Sequence, residues 1–158
     1  MWTKLGFGKY KGKTLPRIVF MDPDYFFWAH EEKMFTGPIA PEANRIAFRA
    51  TRIRIPQRTR GRLVAVYRLH RPTGTFGGLE LIPESQACDD DEPSFRPLRN
   101  DVIDLSVPHQ IKRYDKSGEA LLIRNVKFYL FGSGRARLTS AKCEGFFEDD
   151  RNFVLSTW

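Results

Sequence analysis

Acid is missing from the stretch where charge is densest. Between Ala43 and Leu79 there is no aspartate, no glutamate and no lysine, yet nine arginines stand there. A solvated charged face normally mixes both signs, because like charges on neighbouring strands repel. An all-positive stretch therefore asks for an anionic partner to offset that repulsion. Cysteine is scarce as well. Cys88 and Cys143 lie far apart in sequence, which excludes a disulfide-rich secreted framework. The three histidines, His30, His70 and His109, form no C-x-x-C or H-x-x-x-H spacing with each other or with the cysteines, so no metal site is expected. No apolar run approaches the ~18 residues of a membrane span, so no membrane partner is expected. The basic N-terminus, Met1 to Gly12, has no apolar segment behind it and does not read as a signal peptide, which makes a reducing, cytoplasmic location the default. No serine or cysteine sits in a nucleophile elbow. Gly132-x-Gly134 and Gly74-x-x-Gly77-Gly78 lack the GK[ST] of a phosphate-binding loop and read as turns. No cofactor and no catalytic set is expected.

What is present is globular and lopsided. The 158 residues are 41% hydrophobic, with thirteen Phe, five Tyr and three Trp, enough for one domain with a small appendage. Residues 1–79 carry fifteen Lys/Arg against five Asp/Glu, and residues 80–158 carry eleven against fourteen. The basic character thus belongs to the first half. Its arginines are Arg45, Arg49, Arg52, Arg54, Arg58, Arg60, Arg62, Arg68 and Arg71, threaded with valine, isoleucine, phenylalanine and tyrosine. Arginine's planar fork suits phosphates, base edges and base faces better than lysine's point charge does. A nucleic-acid-binding surface is the expectation. The alternative is a basic face that docks an acidic protein partner.

The first 35 residues read as one compact unit, followed by a linker over 36–42 and an arginine-rich domain over 43–158. Gly6, Gly8 and Gly12 among Phe7, Tyr10 and the lysines suggest a tight hairpin. Thr14 and Pro16 suit the start of a short helical turn, and Asp22-Pro23 is a stronger start signal: an acid at the cap, then proline at the first helical position. Asp24 to Lys33 would follow as a helix with Tyr25 and Trp28 on one face, expected in the unit's small core. Thr36-Gly37-Pro38-Ile39-Ala40-Pro41 reads as the linker.

Beyond it the expectation is α+β, mostly β: an antiparallel barrel or sandwich of five to seven strands, with the oligonucleotide-binding barrel as one candidate. Leu63 to His70 alternates like a strand buried largely on one face, Pro72-Thr73-Gly74 turns, and an apolar strand follows through Leu79 and Leu81. Ile46 and Phe48 have one parity and Ile53 and Ile55 the other, so the strand expected there needs a bulge near residues 50–52. Residues 84–100 read as a loop, and a short strand is expected at Val102–Leu105. Lys116-Ser117-Gly118 would open a hairpin through Leu122, Val126, Phe128 and Leu130, with Arg135–Cys143 returning. On these strands Arg52 shares a face with Arg54, and Arg45 with Arg49. Arg58, Arg60 and Arg62 flank Gly61 in a loop, while Arg135 and Arg137 extend the patch. Two or three of the arginines are expected to pair with acids of the C-terminal half.

Phe7-Gly8-Lys9-Tyr10-Lys11-Gly12-Lys13-Thr14-Leu15, then Asp22-Pro23-Asp24-Tyr25 and Trp28, resembles the small C-terminal module of exodeoxyribonuclease X-like enzymes. Similar modules occur as short bacterial proteins. The resemblance covers about thirty residues and implies an accessory nucleic-acid-binding role, DNA rather than RNA, with Lys9, Tyr10, Lys11 and Lys13 as candidate backbone contacts. It does not carry over the family's nuclease domain. The only Asp-x-Glu imitation is Asp90-Asp91-Glu92, with no hydrophobic strand in front of it. A second imitation, Pro23-Asp24 with Glu31-Glu32-Lys33, falls where a helix is expected rather than on the adjacent strands that a shared magnesium ion requires, and reads as coincidence.

Overall fold

The computed structural model describes residues 1–56, 61–89, 93–111 and 116–156. The chain is α+β, with 44% helix and 21% strand, so helix rather than strand predominates. Neither of the two small antiparallel sheets closes into a barrel among the described residues. Two compact units form, and neither is a continuous stretch. One takes Met1–Ile53, Asp104–His109 and Arg137–Trp158, and the other takes Arg54–Ile103 and Gln110–Ala136. Residues 43–53 and the C-terminus therefore join the N-terminal residues rather than a separate arginine-rich domain.

In the first unit the expected hairpin is present: the Leu5 amide donates to the Lys13 carbonyl at 2.8 Å and the Gly12 amide to the Leu5 carbonyl at 2.7 Å. Gly8, at φ +74°, has Tyr25 so close that an added Cβ would lie 3.3 Å from its hydroxyl, which is why this turn takes glycine. Helix α1 (Leu15–Met21) and helix α2 (Pro23–Glu31) follow, separated by Asp22. Asp22 is the cap that the sequence announces: its Oδ1 accepts from the Tyr25 amide at 3.1 Å. Its Oδ2 also accepts from the Tyr10 hydroxyl at 2.6 Å, which ties the hairpin to α2. Thr14 precedes α1 without capping it, and its hydroxyl donates to Glu144 at 3.0 Å instead.

Helix α3 (Ile39–Ala50) overturns both the linker over 36–42 and the strand read from Ile46 and Phe48. Ile39, Ala43, Ile46 and Ala50 recur at helical spacing and are all buried. Pro41 is tolerated because the first four helical amides have no intrahelical acceptor anyway. Helix α6 (Ser140–Glu148) replaces the expected return strand; Thr139 caps it by accepting from the Lys142 amide. The helices α1, α2, α3 and α6 pack around Ile18, Phe20, Phe26, Ile46, Phe147 and Phe153. Phe20, Phe146, Phe147 and Phe153 meet at centroid distances of 5.4–5.7 Å. Each fully buried ring contributes about 1.5–3 kcal/mol.

The second unit contains an antiparallel sheet of order β3-β2-β4, from β2 (Leu63–His70), β3 (Phe76–Pro83) and β4 (Phe95–Asn100). Strand β2 is where its alternation places it, but as the central strand it buries Val64, Ala65, Val66 and Tyr67 alike, on both faces rather than one. Strand β4 lies inside the expected loop. Its Pro97 belongs to an edge strand, where a missing amide breaks no ladder. β1 (Ile53–Arg54) and β5 (Val102–Ile103) form the two-stranded sheet, and the single turn α4 (Val107–Gln110) falls in the first unit up to His109. The expected hairpin at 116–130 is instead the helix α5 (Lys116–Phe131), against β3. Leu122 and Val126, one helical turn apart, are fully buried. Asn125 of α5 accepts from the Leu79 amide at 2.9 Å.

Candidate nucleic-acid interface

The arginines are divided between the two units. Arg45, Arg49, Arg52 and Arg137 belong to the first unit with Lys9, Tyr10, Lys11 and Lys13, while Arg54, Arg62 and Arg135 belong to the second. Arg58 and Arg60 lie outside the described residues. Among the described residues, Arg49, Arg62 and Arg68 of the acid-free run pair with acids of the C-terminal half, as expected. Arg49 meets Asp150 at 2.7 Å, Arg62 meets Asp101 at 3.1 Å, and Arg68 meets Glu80 at 2.8 Å.

Arg49 is structural. It is buried, its Nη1 donates to the Phe147 carbonyl at 3.0 Å, and its guanidinium lies 5.1 Å from the Phe153 ring centroid. Tyr10 is committed to Asp22. Trp28, expected in the core, is 44% exposed instead, with Tyr25 half-buried against it at a centroid distance of 6.0 Å. Lys9 lies 3.4 Å from Asp22 while remaining half exposed, a pair of little energetic weight. Lys11 and Lys13 are exposed and have no ion pair among the described residues. Arg54, Arg135 and Arg137 are exposed.

Cations and aromatic rings come together on α3 and just past its C-terminus. Arg45 and Phe48 are three residues apart on the helix and share one side, and Arg52, just past its C-terminus, reaches back to Phe48. The Arg45 guanidinium lies 5.5 Å from the Trp2 ring centroid. The Arg52 guanidinium lies 3.9 Å from the Phe48 ring centroid, and Phe48 is still 45% exposed. Glu42 and Glu148 flank the Trp2 end, accepting from the Thr3 amide at 2.8 Å and from Trp2 Nε1 at 2.9 Å. From the sequence both arginines are expected binding residues, while Phe48 reads only as a core position and Trp2 carries no signal. The usable signal is the helical 45–48 spacing, hidden once the segment is read with a period of two.

A second cluster involves the carboxylates of the Pro-Asp/Glu-x-Lys imitation. His109 Nδ1 lies 2.8 Å from Asp24 Oδ1, and its Nε2 lies 2.9 Å from Glu31 Oε2. Both nitrogens donate at once only in the imidazolium form. Partial burial pushes the His109 pKa down, but the hydrogen bonds and charges of Glu31 and Asp24 outweigh it and hold the group above its ordinary value. Among the described residues, no three His, Cys, Asp or Glu side chains stand where they could share a metal ion. No helix among them is long and apolar enough to cross a membrane. Comparison with protein-family models, with curated proteins and with solved structures finds no match.

Proposed function

We propose that this is a non-catalytic, cytoplasmic nucleic-acid-binding accessory protein that holds DNA in preference to RNA. The observation that carries the proposal is the exposed side of α3, where Arg45 stands over Trp2 and Arg52 over Phe48. Basic side chains interleaved with aromatic rings supply the two things a nucleic-acid strand offers to bind: phosphate charge and flat bases. Lys11 and Lys13 add exposed point charges in the glycine-rich turn. The resemblance of that turn to a deoxyribonuclease-associated module is the reason for favouring DNA.

Binding of labelled oligonucleotides at low salt tests this. The Arg45→Ala/Arg52→Ala variant should bind about tenfold or more weakly, because fork-shaped, stacking-capable groups are lost. The Lys11→Ala/Lys13→Ala variant should lose less, and uniformly across sequences. Unchanged binding in the arginine variant would remove α3 as the interface. An acidic protein partner would become the leading account if the parent bound no nucleic acid at all. Labelled DNA and RNA should also stay intact in magnesium or manganese. Cleavage that disappears in Asp24→Ala would contradict the non-catalytic part.

A further inference from the structure

We infer that the Phe48–Arg52 pair is a stacking seat for an unpaired nucleobase, so that the ligand is a single strand; this rests on the nucleic-acid reading above. Arg52 follows Thr51, the residue that ends α3, and its side chain turns back over the helix. Its Nη1 donates to the Phe48 carbonyl and to Thr51 Oγ1, both at 3.1 Å. Thr51 Oγ1 in turn donates to the same Phe48 carbonyl at 3.0 Å. That carbonyl is among the last four of the helix, which have no intrahelical donor, and a cation at a helix C-terminus is favoured by the dipole.

The position of the guanidinium over the ring is thus fixed before any ligand arrives, by groups that needed partners anyway. This avoids most of the ordering entropy a mobile arginine would lose on binding. Arg52 Nε and Nη2 have no hydrogen-bond partner among the described residues, which leaves two donor nitrogens for a phosphate. Phe48 keeps nearly half its surface exposed although it carries the guanidinium.

Charge alone would satisfy the outside of a duplex, which has no use for a large exposed ring beneath a held planar cation. Bases inside a duplex are already stacked on their neighbours, whereas those of a single strand present free faces to aromatic rings and guanidinium planes. Charge complementarity and the ring together therefore select single-stranded nucleic acid.

The test compares three probes at low salt by fluorescence anisotropy: labelled oligothymidylate, an abasic phosphodiester strand of the same length, and a duplex of that length. The parent should bind oligothymidylate about tenfold more tightly than the abasic strand, the effect of roughly one stacked base. Phe48→Leu should remove most of that advantage, weakening oligothymidylate binding far more than abasic binding. Arg52→Lys, which keeps the charge but not the fork, should also shrink it, and provides the test if the Phe48 variant fails a circular dichroism check. Equal binding of the base-bearing and abasic strands, or equal or tighter binding of the duplex, overturns the stacking seat and leaves the nucleic-acid proposal standing. Absence of binding to all three overturns both.

Discussion

At the scale of single residues, charge type is a poor guide to role until burial is known. Arg49 and Arg45 are one helical turn apart in the same acid-free run, yet Arg45 is exposed and Arg49 is buried between the Phe147 carbonyl, Asp150 and the Phe153 ring. Arg49→Ala should therefore lower stability by about 1–3 kcal/mol in urea unfolding, since a buried carbonyl loses its charged donor. Oligonucleotide affinity, corrected for the unfolded fraction, should not change. His109 gives a prediction of opposite visibility, because nothing in its neighbourhood in sequence announces it. Its folded-state pKa is raised, so its contribution to stability is complete below the unfolded value of about 6.5 and is lost as pH rises through the folded value. Stability measured across that window should fall more in the parent than in His109→Gln. Equal slopes would mean that the Asp24–His109–Glu31 bridge does not form.

At the scale of elements, the legible parts are those with a strong local signal. Asp22-Pro23 starts a helix because the capping carboxylate and the proline are adjacent in sequence, and Leu63–His70 is a strand because its β-branched alternation is unbroken. Residues 39–50 and 116–131 were harder to read. Ile46 and Phe48 fit a period of two as well as Ile39, Ala43, Ile46 and Ala50 fit a helix, and Leu122 with Val126 fits both. Tertiary burial decides between the periods, and a single segment does not contain that information. Strand β4 was hidden by its proline and charges, which suit an edge. Gly77 tests the packing at the strand ends. A Cβ there would fall 2.4 Å from the Phe95 ring, so Gly77→Ala should destabilise by about 1–3 kcal/mol through forced displacement of that ring. A neutral thermal melt would contradict the placement of Phe95.

At the scale of the whole molecule, the net charge of +7 is divided between two units, each built from segments far apart in sequence. Among the described residues, Arg49, Arg62 and Arg68 are neutralised by acids of the C-terminal half, while Arg45 and Arg52 are held against aromatic rings. The acid-free run was legible as charge, but its division between a buried anchor, ion pairs and an exposed aromatic-backed face depends on contacts as much as 101 residues apart. The exposed cations of α3 and the glycine-rich turn are proposed to neutralise phosphates. The most direct measurement is the affinity for a labelled single-stranded oligonucleotide over a series of salt concentrations. With four to six contacts, the log–log slope should be on the order of −3 to −5, because each neutralised phosphate releases a condensed counterion. A slope near zero, or no binding at the lowest salt, would contradict the claim.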